Sequence, residues 1–215
     1  MFGVSDGLVS NVGLILGVAA ADPGPGVVRL AGLAGLIAGA ISMAAGEYNS
    51  MRVQTELLER EIEMERIELR RNPHYEMVEL SEVYQSRGVE ASQARALAQQ
   101  MMADPEIALE VHAREELGID PNELGSPPGA AVSSFLSFSL GALAPLVPWF
   151  FGGGTGAVVA SLIVAMVAAV AVGAAIARFT DRPVWFAAGR QLLFTLVPAA
   201  LTFAVGSLVG VGTSI

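Results

Sequence analysis

The chain has 215 residues, 53% of them hydrophobic, and a mean hydropathy of +0.56. Apolarity of this degree, gathered in blocks, excludes an ordinary soluble domain and points to a membrane protein. A net charge of −9 argues against a nucleic-acid partner, and the absence of cysteine excludes a disulfide framework or a thiolate metal site.

Residues 1–21 and 27–48 are the first two apolar stretches, each long enough to cross a bilayer. The first has no basic leader and contains Asp6, so no cleavable signal peptide is expected. Asp22-Pro23-Gly24-Pro25-Gly26 reads as a turn between them. An antiparallel hairpin about that turn puts Asp6 and Met43 at nearly equal depth, each on the order of 26 Å from the midpoint at helical rise. A carboxylate at membrane depth costs at least roughly 2.5 kcal/mol unless it is paired, hydrated or metal-bound. Met43 and Glu47 are four residues apart on one helix face. A carboxylate, a thioether and a second carboxylate at one end of a hairpin predict a cation site. Taken singly, Asp6 could cap its helix, Met43 fill the core and Glu47 reach the interface. The spacings Gly3-xxx-Gly7, Gly13-xxx-Gly17 and Gly35-xxx-Gly39 predict that the two hairpin helices pack closely on each other.

The second span does not stop at the interface. Residues 50–71 contain no Gly or Pro, so one helix is expected to run out to Asn72-Pro73. Three shorter helices follow. One is closed by Gly88, one covers about 91–103 and ends in Met101-Met102, and one is opened by Asp104-Pro105-Glu106 and runs to Gly118. Residues 119–129 read as a linker. Three further spans are expected: 130–151, kinked by Pro145 and Pro148; 157–177; and 192 to about 211. Residues 178–190 read as an amphipathic loop with Trp185 as an interface anchor. The expectation is an all-α membrane protein of five transmembrane helices, with a helical cytoplasmic metal-binding insert between spans two and three. The domain bounds are 1–48, 49–128 and 129–215. Eight arginines in the insert and three in 178–190 put both regions, and the N-terminus, on the cytoplasmic side.

Eighteen of the 21 acidic residues lie between Glu47 and Glu123, so this insert should attract cations. Glu65 and Glu68 on one side of the Asn72-Pro73 turn, and Glu76 and Glu79 on the other, can meet in a helical hairpin. Such a carboxylate cage suits a hard or borderline divalent cation. Met101 and Met102 add soft donors, although methionine also serves as core filler. His74 and His112 are weak signals, because neither stands in a Glu-x-x-His pattern. With no HExxH, EF-hand, P-loop or Ser-His-Asp arrangement, an enzyme is not expected.

The runs Asp6-Gly7-Leu8-Val9-Ser10-Asn11 and Ser42-Met43-Ala44-Ala45-Gly46-Glu47-Tyr48, the glutamate-rich insert and His112-Ala113-Arg114-Glu115-Glu116-Leu117-Gly118 resemble the vacuolar iron transporter family. The resemblance covers nearly the whole chain. It implies a homodimer that moves Fe2+ out of the cytosol in exchange for protons, through a pathway at the dimer interface. It implies that Asp6 and Met43 are the transmembrane ligands, with Glu47 near the entrance. It also implies that Glu65, Glu68, Glu76 and Glu79, the methionine pair Met101 and Met102, and Glu106 after them bind metal in the insert. A prokaryotic member would act as an exporter in the plasma membrane. Competition of proton and metal for the same carboxylates offers a simple coupling for antiport. Mn2+ is the rival cargo, Met43 favouring Fe2+ or Mn2+ over Mg2+ and Ca2+. A membrane-anchored metal-binding or sensing protein without transport is the rival function.

Overall fold

A computed structural model describes residues 1–212, and the described residues contain helices and no strand. The helices are α1 (Phe2–Ala19), α2 (Pro25–Arg71), α3 (Pro73–Ser86), α4 (Ala91–Met101), α5 (Pro105–Glu115), α6 (Pro127–Leu146), α7 (Pro148–Phe151), α8 (Gly154–Thr180) and α9 (Val184–Gly212). Five of them, α1, α2, α6, α8 and α9, are long and apolar enough to cross a membrane.

Local chemistry sets the boundaries. Asp22 and Gly24 adopt left-handed φ, and Pro25 opens α2 with its ring pre-set for the first turn. α2 then runs without interruption for 47 residues, about 70 Å at helical rise. Pro73 ends it and begins α3. The Glu90 and Asp104 carboxylates each accept from two backbone N–H groups and cap α4 and α5. Pro145 and Pro148 break the third span, so its continuation is the single turn of α7. The segment expected to be a loop over 178–190 is mostly helical. α8 reaches Thr180, Asp181 takes the left-handed cap, and α9 starts at Val184 after Pro183. Trp185 lies in the first turn of α9, exposed, edge-on to Phe186.

The chain divides into two compact units. One comprises Met1–Tyr48 and the chain from Pro128 onward, and the other comprises Asn49–Pro127. In the first unit α1 is the most enclosed of the five long helices. Its Leu8, Val12 and Leu16 pack with Ala165 and Ala169 of α8 and Ala199 of α9, and its Ile15 packs with Val28, Leu146, Trp149 and Ala157. Phe138 and Ala142 of α6 pack against Ala40 of α2, with Met43 at the edge of this cluster.

The glycines of α1 do not face α2. A side chain at Gly7 would collide with the backbone of Phe138 and Ala142, and one at Gly17 would press on Thr202 of α9. The contact between the hairpin helices is made from the other side, where Gly32 and Gly35 of α2 accept Ile15 and Leu14 of α1. α1 is thus wedged among several helices, and its small residues serve the two closest backbones. In the second unit, Ile62, Leu80, Ala94, Ala98, Ala108, Leu109 and Ala113 are the buried apolar residues. Thr55 donates to the Leu124 carbonyl at 3.2 Å, which pins the linker back to α2.

Candidate metal sites

Two groups of donors stand out, one in each unit. In the first unit, a cleft of about 340 Å3 is lined by Asp6, Ser10, Asn11 and Leu14 of α1, Gly35, Gly39, Ser42 and Met43 of α2, and Phe138 of α6. The Phe138 ring packs on Gly39, in the position a side chain there would take. Asp6 and Met43 therefore share one cleft, as the hairpin geometry predicts. Glu47, one turn beyond Met43, is exposed and is not among the lining residues. Ser10 donates to the Asp6 carbonyl at 2.7 Å. Asn11 is 2% exposed, and its Nδ2 donates to the Ala142 carbonyl at 2.6 Å.

In the second unit, Glu65, Glu76, His112 and Glu116 each present one donor atom, all within 4.8 Å of one another. Nδ1 of His112 lies 3.3 Å from Glu65, 2.9 Å from Glu116 and 4.0 Å from Glu76. His112 is fully buried, and Glu65 and Glu76 are nearly so. Despite these short separations, Glu65 Oε1, Glu116 Oε1 and both His112 nitrogens lack a hydrogen-bond partner. Four donor atoms gathered within 4.8 Å are close enough to hold one metal ion. Three carboxylates and an imidazole form an oxygen-rich, borderline set suited to a first-row divalent cation.

The electrostatics agree. Burial raises the Glu76 pKa above its ordinary value, and the charges of Glu65, Glu79 and Glu68 push in the same direction. Burial pushes Glu116 up to about 7; His112 works against this, and Glu65, Glu79 and Glu76 add to it. Burial opposes the charged imidazole of His112, but the carboxylates of Glu65, Glu116 and Glu76 outweigh it and raise its pKa. All three shifts favour the protonated forms of Glu76, Glu116 and His112.

The sequence-predicted residues divide accordingly. Glu65 and Glu76 are brought together. Glu79 is half-buried and Glu68 exposed, and both act on Glu76 through their charge while standing outside the four-donor group. Met101 is half-buried at the end of α4. Met102 and Glu106 line another cleft, with Arg66, Leu69, Arg70, Pro73, Pro105, Ala108 and Leu109. Arg66 and Arg70 in that lining both pair with Glu63, at 3.1 and 3.9 Å. Sequence reasoning passed over His112 and Glu116. The signal that could have found them is their spacing of four on α5, which puts both on one helix face.

The family model of the VIT family matches residues 1–207. The chain is 41% identical over 147 residues to a vacuolar iron transporter of Acanthamoeba castellanii, covering 68% of this chain and 52% of that one. It is 30% identical over 210 residues to vacuolar iron transporter 1 of Eucalyptus grandis, covering 97% and 84%. It is 31% identical over 202 residues to vacuolar iron transporter 1 of Oryza sativa subsp. japonica, covering 93% and 80%. A match over nearly the entire chain, on a bundle of five membrane-length helices, identifies this protein as a member of the VIT family.

Proposed function

We propose that this protein carries Fe2+ across a membrane, out of the cytosol and against a counterflow of protons. The observation that carries the reading is the cleft that Asp6 of α1 and Met43 of α2 line together in a bundle of membrane-length helices. The relatives bear the name of iron transporters, which favours iron as the cargo. In this reading Glu65, Glu76, His112 and Glu116 capture the cation, and Glu68 and Glu79 add local negative potential. Met101, Met102 and Glu106 are further candidate donors. Met43, Glu47 and Glu65 lie on the same continuous helix. Glu47 serves as the entrance ligand, and Asp6 and Met43 pass the ion on. A proton and a metal cannot occupy the same carboxylate at once, so loading with one releases the other. We place the Asn49–Pro127 unit in the cytoplasm and the active species as a homodimer in the plasma membrane, with Mn2+ as a second cargo.

Proteoliposomes with an imposed pH gradient test this. Fe2+ uptake should depend on the gradient and should acidify the opposite compartment, and Asp6→Ala or Met43→Ala should abolish it while the protein stays folded. Uptake unchanged in both variants would falsify the pathway. The four-donor group in the second unit also supports a narrower reading, a membrane-anchored metal binder. Metal retained by the protein without any flux into the liposomes would favour that reading.

A further inference from the structure

Asn11 is the one buried polar side chain in the wall of the membrane cleft, and only half of its amide is used. Its Nδ2 donates to the Ala142 carbonyl of α6 at 2.6 Å, which fixes the orientation of the amide group. Oδ1 must then face the other way, and it is buried with no hydrogen-bond partner. A carbonyl oxygen left unsatisfied in a packed interior is costly, and a bond between α1 and α6 alone does not require it. Serine or threonine could make such a bond without stranding an acceptor.

The space beside Oδ1 is also specific. A Cβ at Gly35 of α2 would stand 2.9 Å from Oδ1, so a glycine is what fits against this buried oxygen. Asn11 and Gly35 line the same cleft as Asp6, Met43, Ser10 and Ser42. We propose that the side-chain carbonyl of Asn11 is a ligand for the divalent cation crossing this cleft, held in place by the Nδ2 bond to Ala142 and given room to turn to the ion by the missing side chain at Gly35. This rests on the reading of the cleft as the transport path. The chemistry fits a partly dehydrated ion. A single carboxylate and a thioether leave most of the coordination sphere empty, and a neutral, pre-oriented oxygen replaces a lost water without adding charge.

The test uses the full chain in proteoliposomes, with initial rates of uptake measured against Fe2+ concentration. Asn11→Leu removes both halves of the amide. Gly35→Ala retains the amide and crowds Oδ1 from α2, and the half-exposed Leu14 whose tip it also meets has room to move. Both variants should raise the KM for Fe2+ by at least about tenfold, the size of effect typical of a lost metal-site partner. The double variant should be no worse than either single one, because both act through one oxygen. A normal KM in Gly35→Ala, with loss of melting temperature in Asn11→Leu, would make Asn11 a structural bond only and overturn the proposal. That result with Asp6→Ala and Met43→Ala still inactive sinks the Asn11 ligand alone. Active Asp6→Ala and Met43→Ala proteins sink the pathway and the ligand together.

Discussion

His112 is where residue chemistry and sequence pattern part company. Glu65 and Glu76 can be chosen from the sequence, because the Asn72-Pro73 break folds their two helices back on each other. His112 and Glu116 could not be chosen on the same grounds. They lie some forty residues further along, and nothing in local periodicity says which face of α5 meets α2. Two apolar residues decide it, since burying Leu109 and Ala113 turns His112 inward. A Glu-x-x-His search also misses this helix, which offers His-x-x-x-Glu instead. The consequence is measurable by calorimetry with Mn2+ on the purified full-length protein. His112→Leu should weaken binding at the highest-affinity site about 10- to 100-fold. Met102→Leu, whose side chain stands beside Arg66 and Arg70, should leave that affinity unchanged. The reverse order of effects would return the methionine pair to the centre of the site.

The elements themselves were largely legible, because length and punctuation in this chain are strong physical signals. A 47-residue helix without internal Gly–Pro punctuation beyond its membrane half, a Pro-broken third span and an Asp-Pro helix start follow from backbone chemistry alone. Packing partners were not legible. Small-xxx-small spacing says that something comes close but not what does. Gly7 and Gly141 bring the α1 and α6 backbones together, with Gly141 standing against the Val4 carbonyl just as Gly7 stands against that of Phe138. Here a side chain would press on backbone, which cannot rotate away. Gly7→Leu should therefore force α1 and α6 apart, lower the melting temperature in detergent by several degrees and abolish uptake. Gly46→Leu, where a side chain meets open space, should do neither. Equal damage from both would mean that lipid-facing bulk, rather than the α1–α6 approach, limits the fold.

At the scale of the whole molecule, the two compact units need not unfold together, and a single melting temperature is not guaranteed to describe both. Their reporters differ. Trp149 and Trp185 both belong to the first unit, whereas the second holds Tyr75 and Tyr84 and no tryptophan. Tryptophan fluorescence thus follows the helix bundle, and amide exchange along α3 and α5 follows the four-donor cluster. The sign of the pH dependence is fixed by protons held in the folded state. The Glu116 carboxyl sits at about 7 instead of 4.5, so the folded protein keeps a proton that the unfolded chain loses between those values. Stability from this source is greatest at the acidic end and falls as the pH rises through about 7. The raised pKa of Glu76 has the same sign. So does that of His112, whose charged form contributes fully below its ordinary 6.5 and is lost as the pH rises through its higher folded value. In metal-free protein, protection of α5 should therefore decline from pH 5 to pH 8. A divalent cation binds the deprotonated donors, so adding Mn2+ at pH 8 should restore protection, and adding it at pH 5 should change little. Tryptophan-detected melting should follow neither trend. Protection that grows towards pH 8 without metal would show that the cluster is not held by protons, and with that the competition between proton and cation would lose its basis in this unit.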